Sequence, residues 1–313
     1  MVAFTVVQAG PHVCVQDGGR AGLMRFGAPA SGPMDRIGFA AANAALGNPV
    51  GGAGIEVSLG GLTLDCTEGS ISFAVAGGGF SVSVDGRPLA PWVVAGLREG
   101  ARLAIRPGRW GSWAFLAFAG QLRCRQWLGS AATHAPSGQG GGRLVAGDRL
   151  LIDAAEVRER RHRALAVPVS ARPRAEVRVV SGPQDRFFSP SAKEAFMTSA
   201  FMLTDAYDRM GVRLAGPSLR PEAALDMPSE AILRGSVQVA GDGVATVLLA
   251  DHQTTGGYPK IATVLDADLD RFVQLRSRDR VVFRAVDPQA AVDAFRTRRL
   301  SLQRYLAGLT EGL

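Results

Sequence analysis

The sequence predicts a mainly β fold made of two β-rich domains with a few helices. Short runs of apolar and β-branched residues recur along most of the chain, and Gly, Asp and Pro turns separate them. A chain of 313 residues is long enough for two cores. In addition, four sequence features of the first half recur in the second half, which indicates two related domains.

The strand predictions are densest in the first half. From Ile55 to about Ile152, apolar runs of strand length follow one another with only brief interruptions. Asp85-Gly86 lies between two of these runs, and this pair favours a two-residue hairpin turn. In the second half, strands are predicted at 176–180 and 212–214, and further short strands up to Phe283.

Three helices are predicted. Residues 36–46 form the first, because Asp35 can cap its start and Gly47 can end it. The second covers about 190–197. The third covers 288–309 and is amphipathic, so we expect its apolar stripe to pack on the chain's own barrel. That stripe consists of Val292, Phe295, Leu302, Leu306 and Leu309.

A charge run and two prolines mark the boundary between the domains. They fall within residues 153–173, which are predicted to be a linker. The N-terminal β-rich domain is therefore predicted at 1–152. The C-terminal domain, with the terminal helix, is predicted at 174–313.

The internal repeat consists of short motifs in the same order and at similar spacing in both halves. In the first half they are Gln16-Asp17, Asp35-Arg36-Ile37-Gly38, Glu56 and Gly61. In the second half they are Gln184-Asp185, Asp208-Arg209-Met210-Gly211, Glu230 and Gly235. Recurrence of four features in order indicates two domains of common origin.

Composition and charge exclude several functional classes. The net charge is +7, but the arginines are dispersed and no zinc-finger or recognition-helix motif is present, so no nucleic-acid partner is expected. No apolar run is long enough to span a bilayer, so no membrane partner is expected. Three scattered cysteines and no secretory signal favour a cytoplasmic location. Four widely separated histidines predict no metal site.

The most informative stretch is 251–264, between two predicted strands. Ten residues there hold a carboxylate, an amide, two hydroxyls, two adjacent glycines, an aromatic ring and a lysine. The chain has only two lysines, Lys193 and Lys260, and one of them lies here. Polar groups on a loop that rigid strands support are typical of binding sites. An ordinary hairpin loop is the alternative interpretation.

These residue types suit a small ligand with an N–C=O group. Asp251 can accept a hydrogen bond from the ligand N–H, and Gln253 can donate to its carbonyl. Lys260 can stabilise negative charge on oxygen; alternatively, it is a surface lysine beyond a turn. These three are the candidate catalytic residues. The candidate substrate-binding residues in this stretch are Thr254, Thr255, Gly256, Gly257 and Tyr258, of which the first four offer backbone N–H groups.

Two charged pairs are predicted to line the same mouth. One is Asp17 with Arg20, which follow the first predicted strands, and the other is Asp208 with Arg209. Both pairs are included among the candidate substrate-binding residues. The alternative interpretation is structural: Asp caps a turn and Arg pairs for stability.

Long motifs resemble one protein family. In the first half they are VQDGGRAG, GAPASGPMDRIG and IEVSLGG; in the second they are SGPQDRFF, YDRMGVRL, SEAILRGSVQV and DHQTTGGYPKIATV. They resemble the family of biotin-dependent carboxyltransferases and 5-oxoprolinase C subunits, also called allophanate hydrolase subunit 2-like. The resemblance implies two cyclophilin-like β-barrel domains. His252 departs from the pattern, since the family usually has Arg there.

The resemblance implies one component of an ATP-dependent 5-oxoprolinase complex, which converts 5-oxo-L-proline to L-glutamate. The expected partners are an A-subunit-like protein, a B-subunit-like (KipI-like) protein and a small amide or lactam substrate. No cofactor is expected on this chain itself, and ATP is used by the complex. One alternative is the carboxyltransferase subunit of a biotin-dependent urea or allophanate-type carboxylase. Another is a non-enzymatic regulator that antagonises a histidine-kinase inhibitor.

Overall fold

The structure is a computed structural model that describes residues 1–222 and 227–311. The chain divides into two compact units. Unit 1 comprises residues 1–20, 31–172 and 301–313, and unit 2 comprises residues 21–30 and 173–300. Residues 174–300 of the predicted second domain thus belong to unit 2, whereas the residues from 301 onward belong to unit 1. Unit 2 also includes a short segment from the N-terminal part of the chain.

Unit 1 contains two sheets. Its thirteen strands are Val2–Ala9 (β1), Cys14–Gln16 (β2), Gly54–Ser58 (β3), Leu62–Glu68 (β4), Ser70–Ala76 (β5), Ser81–Val84 (β6), Arg87–Leu89 (β7), Val93–Arg98 (β8), Arg102–Arg106 (β9), Trp113–Phe118 (β10), Gln121–Leu122 (β11), Arg149–Asp153 (β12) and Arg163–Ala164 (β13). One sheet has the order β11-β12-β1-β4-β9-β6-β7, and the other has the order β13-β8-β5-β10-β3-β2. Apolar side chains from both sheets form a single buried cluster.

The first helix and the hairpin turn of unit 1 follow the sequence predictions. Helix α1 covers Arg36–Leu46, and the Asp35 side chain accepts hydrogen bonds from the backbone N–H groups of residues 37 and 38. Gly47, which ends the helix, has a φ of 72°. Asp85 and Gly86 have φ values of 50° and 77°, as a type I′ turn requires. Both predictions are confirmed.

Unit 2 contains a closed seven-stranded barrel. The order around it is β14-β21-β18-β19-β16-β15-β22, and β14 and β22 run parallel where the barrel closes. The strands of unit 2 are Glu176–Ser181 (β14), Ala200–Tyr207 (β15), Gly211–Ala215 (β16), Glu230–Ala231 (β17), Ser236–Val239 (β18), Ala245–Leu248 (β19), Thr255–Gly256 (β20), Lys260–Val264 (β21) and Arg280–Ala285 (β22).

Two helices lie within unit 2. Helix α2 covers Pro190–Thr198, close to the prediction, and Ser189 caps its start. Helix α3 covers Asp266–Phe272, where only short strands were predicted, so that prediction is wrong. Carboxylates in its first turn, at Asp266 and Asp268, favour a helix N-terminus electrostatically.

The C-terminal helix α4 covers Pro288–Glu311. Its second half is covered by the chain itself, but by unit 1 and not by the barrel: Leu302 and Leu306 pack against the core of unit 1, and Leu309 is a buried member of that core. Val292 and Phe295 in its first half are 43% and 46% exposed. The prediction that the stripe packs on the chain's own barrel is therefore wrong.

The stretch predicted as a linker contributes to unit 1. Strand β13 pairs with β8, and Tyr305 donates a hydrogen bond to the carbonyl of Ala166. The Arg158 guanidinium donates to the carbonyl of Leu46. These contacts explain why residues up to 172 belong to unit 1. A charge run shows only that a segment is polar. A strand packed at the protein surface can be as polar as a linker, so the charge run does not distinguish the two.

Strands dominate both units, so the predicted mainly β fold class is confirmed. The closed barrel lies in unit 2, whereas the strands of unit 1 form two hydrogen-bonded sheets. Among the described helices, none has the length and the apolar character that crossing a membrane requires.

Candidate active site

The predicted site loop connects two barrel strands of unit 2, as expected. It leaves β19, contains the short strand β20 and ends at β21. Strand β20 pairs with β17, which places Gly256 opposite Glu230. Neither Gly256 nor Gly257 has a positive φ, and Gly256 belongs to this ladder, so the two glycines do not form a left-handed turn.

The first residue of the loop is anchored by a buried ion pair. Both carboxylate oxygens of Asp251 accept hydrogen bonds from the Arg209 guanidinium, each at 2.9 Å. The two side chains are 0% and 1% exposed. Asp251 was predicted as the acceptor for a ligand N–H. Its complete burial against a bidentate guanidinium instead makes it a support for the loop.

Asp208 and Arg209 do not act as a pair. Asp208 accepts hydrogen bonds from the backbone N–H groups of Met210 and Gly211, so it stabilises a turn. Arg209 points to Asp251, 42 residues further along the chain. The prediction of a charged Asp208–Arg209 pair is therefore wrong, since a buried guanidinium requires a buried carboxylate.

His252 is also buried beneath the loop. Its Nδ1 lies 2.7 Å from the carbonyl oxygen of Gln253. Burial is the main cause that lowers the pKa of His252, and the positive charge of Arg234 lowers it further. The imidazole is therefore neutral at physiological pH. It orients the backbone of Gln253 and adds no charge to the site.

Lys260 is the central residue of the candidate site. It begins β21, and its side chain is only 3% exposed, so it is not a surface lysine. Its Nζ lies 3.6 Å from a carboxylate oxygen of Glu230 and makes no hydrogen bond within the described residues. The Glu230 side chain is 48% exposed, so the cluster reaches solvent at that carboxylate.

Gln184 connects these two residues. Its Nε2 donates to Glu230 at 2.5 Å, and its Oε1 accepts from the backbone N–H of Lys260 at 3.2 Å. A nearby glycine permits this approach: a Cβ at Gly182 would lie 2.0 Å from the carbonyl oxygen of Lys260. Gln184 thus holds both the acid and the strand that carries the lysine.

A second buried donor faces the same region. Gln238 pairs with Lys260 across β18 and β21, and directly paired residues project to the same side of a sheet. Its Nε2 has no hydrogen-bond partner in the part of the chain that the structure describes. A Cβ at Gly256 would lie 3.5 Å from Nε2 of Gln238 and 3.5 Å from Nε2 of Gln253. Both amides therefore converge on the backbone of β20.

The arrangement can bind a small acceptor. Lys260 Nζ and Gln238 Nε2 are buried donors without hydrogen-bond acceptors in the described structure, and leaving such groups unpaired costs about 1–3 kcal/mol each. A carbonyl or carboxylate oxygen would satisfy them. The carboxylate of Glu230 could in turn accept an N–H. This combination of donors and one acceptor matches an amide or lactam group.

The remaining predicted residues of the loop differ in exposure. Gln253 and Thr254 are half-buried, and Thr255 is exposed. Tyr258 is 47% exposed, which is compatible with a cover over the loop. The carbonyl of Thr254 accepts from the backbone N–H of Ile232, so this side of the loop is fixed. Their roles in substrate binding stay predictions.

In unit 1, Asp17 and Arg20 hold the segment 127–132. The Asp17 carboxylate accepts hydrogen bonds from the hydroxyl of Ser130 and from the backbone N–H groups of Ala131 and Ala132. Arg20 donates to the carbonyls of Trp127 and Ala132, and its guanidinium lies over the Trp127 ring. No ion pair joins Asp17 to Arg20 within the described chain. Their predicted role in substrate binding stays a prediction.

Sequence reasoning did not select Gln184, Glu230 and Gln238 as site residues. The internal repeat already contained the first two, and it was an available signal. Gln238 lies in strand β18 (Ser236–Val239), in which every residue is buried. A buried amide in such a strand requires a partner, and this requirement could have indicated it.

A closed barrel with buried amide and amine donors beside one loop has the groups that a small polar ligand requires. The family described as "Carboxyltransferase domain, subdomain A and B" matches residues 26–285. The chain belongs to this family. The resemblance found in the sequence motifs is thereby confirmed.

Relatives cover nearly the whole chain. It is 34% identical to the 5-oxoprolinase C subunit of Haemophilus influenzae, over 93% of each chain. It is 31% identical to the 5-oxoprolinase C subunit of Escherichia coli, over 97% of this chain and 96% of the relative. The crystal structure of Kluyveromyces lactis urea carboxylase superposes on 97% of the chain with a TM-score of 0.86 and 25% identity. The chain spans 29% of that solved chain.

Proposed function

We propose that the chain is the C subunit of an ATP-dependent 5-oxoprolinase. The observation that carries the proposal is Lys260, whose buried side-chain nitrogen lies beside Glu230 and has no hydrogen-bond acceptor in the described structure. The relatives favour 5-oxoproline as the substrate, because two C subunits of 5-oxoprolinases resemble this chain over almost their full length.

The reaction opens a five-membered lactam. Water adds to the carbonyl carbon, the C–N bond breaks, the nitrogen takes a proton, and L-glutamate results. As water adds, the carbonyl oxygen gains negative charge. Lys260 Nζ and Gln238 Nε2 are the donors that would stabilise this oxygen, and Glu230 would accept the ring N–H. ATP hydrolysis by the complex would drive ring opening.

The partners belong to the proposal. The relatives are named as parts of a multi-subunit enzyme, and we propose A-subunit-like and B-subunit-like chains as the partners. We also propose that no cofactor binds to this chain itself. The chain has no Gly-x-x-x-x-Gly-Lys-Ser/Thr motif, so a P-loop of its own does not hold the nucleotide.

Reconstitution tests the proposal. The purified chain, alone and with its A-like and B-like partners, is incubated with 5-oxo-L-proline and ATP, and glutamate is measured. We expect glutamate only from the full set of chains. Robust activity from the lone chain would overturn the assignment to a multi-subunit complex.

Urea carboxylation is the second candidate, and the similarity to urea carboxylase favours it. In that reaction a carboxyl group passes from carboxybiotin to urea, and biotin would be the cofactor of the complex. The same preparation, supplied with a biotin carboxylase, carboxybiotin carrier and urea, distinguishes the two. Urea-dependent ATP consumption without any turnover of 5-oxoproline would replace the first proposal with the second.

A further inference from the structure

Unit 1 contains a cleft that the proposed function does not use. Its volume is about 460 Å³, which falls within the range of roughly 300–1,000 Å³ that is typical of small-molecule sites. Four arginines line it, Arg123, Arg125, Arg143 and Arg149, together with several apolar side chains. The cleft therefore combines positive charge with an apolar floor.

The walls of the cleft are held by backbone hydrogen bonds. The backbone N–H of Leu144 donates to the carbonyl of Val13, and that of Val15 donates to the carbonyl of Gly142. Arg143 thereby lies beside β2. On another wall, the backbone N–H of Arg123 donates to the carbonyl of Leu151, which continues the pairing of β11 with β12. The guanidinium groups of Arg123 and Arg143 thus extend from fixed backbone positions.

Two of the four arginines are neutralised by the chain itself. Arg123 makes a two-point ion pair with Asp153, and Arg149 pairs with Glu68. Within residues 1–222 and 227–311, Arg125 and Arg143 make no ion pair and no side-chain hydrogen bond. Asp148, the one carboxylate in the described lining, accepts from the backbone N–H of Val145 and pairs with neither arginine.

The floor is apolar. Val15, Leu122, Leu144 and Leu150 are buried residues of the unit 1 core that also line the cleft. A fully hydrated inorganic ion would gain nothing from these side chains. A ligand with an apolar body would cover the small part of their surface that still faces the cleft.

We propose that this cleft binds a small organic anion, a carboxylate or a phosphate ester, whose charged group lies between Arg125 and Arg143 and whose apolar part contacts the leucines. A guanidinium presents a planar fork of donors that matches the oxygens of both groups. The proposal is independent of the proposed reaction, because it concerns different residues in the other unit.

Cys124 gives a direct reporter of occupancy. It is half-buried in the lining, whereas the other two cysteines are buried. Burial is the main cause that raises the pKa of the Cys124 thiol, and the charge of Asp17 adds to it. The thiol is therefore protonated at neutral pH, and alkylation by iodoacetamide must be followed at alkaline pH.

The experiment measures the rate of Cys124 alkylation by mass spectrometry at low salt, with benzoate, phenyl phosphate or benzyl alcohol as probes. We expect saturable protection by benzoate, phenyl phosphate or both, and little by the neutral alcohol. Preference between the two anions identifies carboxylate or phosphate as the natural group. Calorimetric titration of the same probes gives the affinity without the thiol.

Arg125→Gln combined with Arg143→Gln should weaken binding of the protecting anion by about tenfold or more, as loss of charged hydrogen bonds implies. Arg87→Gln, on the exposed hairpin strand β7, is the matched control and should bind like the wild type. Urea unfolding verifies that each variant is folded. Absence of protection by either anion, equal protection by benzyl alcohol, or unchanged affinity in the double variant would overturn the proposal.

Discussion

The turn at Asp17 in unit 1 and the loop at Asp251 in unit 2 both carry charged side chains near two adjacent glycines, but they differ in the contacts of those side chains. At the first, Asp17 accepts three hydrogen bonds from residues 130–132, and Arg20 donates to two carbonyls. At the second, one ion pair is complete, but Lys260 Nζ makes no hydrogen bond in the described chain. Charge near a glycine-rich turn therefore does not by itself identify a site. What distinguishes the second region is a buried lysine nitrogen beside the carboxylate of Glu230.

Disruption of the ion pair between Arg209 and Asp251 in unit 2 should give the largest effect. Asp251→Asn removes the charge that neutralises buried Arg209, and breaking such a pair costs about 3–5 kcal/mol of unfolding free energy. Urea unfolding measures this loss. The double change Arg209→Met with Asp251→Leu should cost less unfolding free energy than Arg209→Met or Asp251→Leu alone, because it removes both buried charges together. A loss of unfolding free energy equal to the sum for the two single changes would contradict this expectation.

Lys260→Ala tests the donor itself. Removing one donor to a reacting oxygen typically costs about 3–4 kcal/mol in the transition state. Turnover of the reconstituted complex should therefore fall about a hundredfold or more. Lys193→Ala, the change of the chain's other lysine, is the matched control and should leave turnover unchanged. Turnover of Lys260→Ala within about twofold of the wild type, with the complex intact, would remove Lys260 from the reaction.

Asp17→Asn tests the first region. The change leaves one of its backbone N–H donors without a charged acceptor, which costs about 1–3 kcal/mol. We expect a lower urea midpoint and a kcat/KM close to that of the wild type, measured at a temperature where the variant is folded. A large loss of kcat/KM with unchanged stability would instead make Asp17 part of the site.

The smallest effect concerns pH. Burial lowers the pKa of His252 in the folded state, so the unfolded chain binds a proton more readily. The neutral imidazole thus contributes stability above the unfolded pKa of about 6.5, and this contribution is lost as the pH falls below that value. His252→Gln should flatten the pH dependence of urea stability between about pH 5 and 7. His162, whose pKa burial also lowers, provides the comparison variant.

Much of the fold could be predicted from local sequence. Asp35 and Gly47 mark the ends of α1, and Asp85-Gly86 marks the hairpin, because each of these residues acts on its immediate neighbours. Helix α3 could not be found from apolar periodicity, since its short sequence alternates acids with apolar residues. The exposed Val292 and Phe295 show that an apolar stripe does not specify how much of it is covered.

The residues of the candidate site were named from sequence, but their contacts were not. Sequence placed Asp251, Gln253 and Lys260 in one stretch between two strands, and in the structure Lys260 begins the second of these strands. It could not show that Arg209, distant in sequence, takes both oxygens of Asp251. Gln184 and Gln238 join the site only through strand pairing and side-chain contacts between distant segments. Such long-range pairing is not encoded in a local pattern.

The central proposal is that Lys260 Nζ and Gln238 Nε2, which make no hydrogen bond in the described structure, bind the substrate. A crystal structure of the assembled complex with bound 5-oxo-L-proline tests it most directly. The account predicts that a ligand oxygen lies within about 3.2 Å of both Lys260 Nζ and Gln238 Nε2. A ligand that is bound elsewhere in a turnover-competent complex, with both nitrogens out of contact, would contradict it.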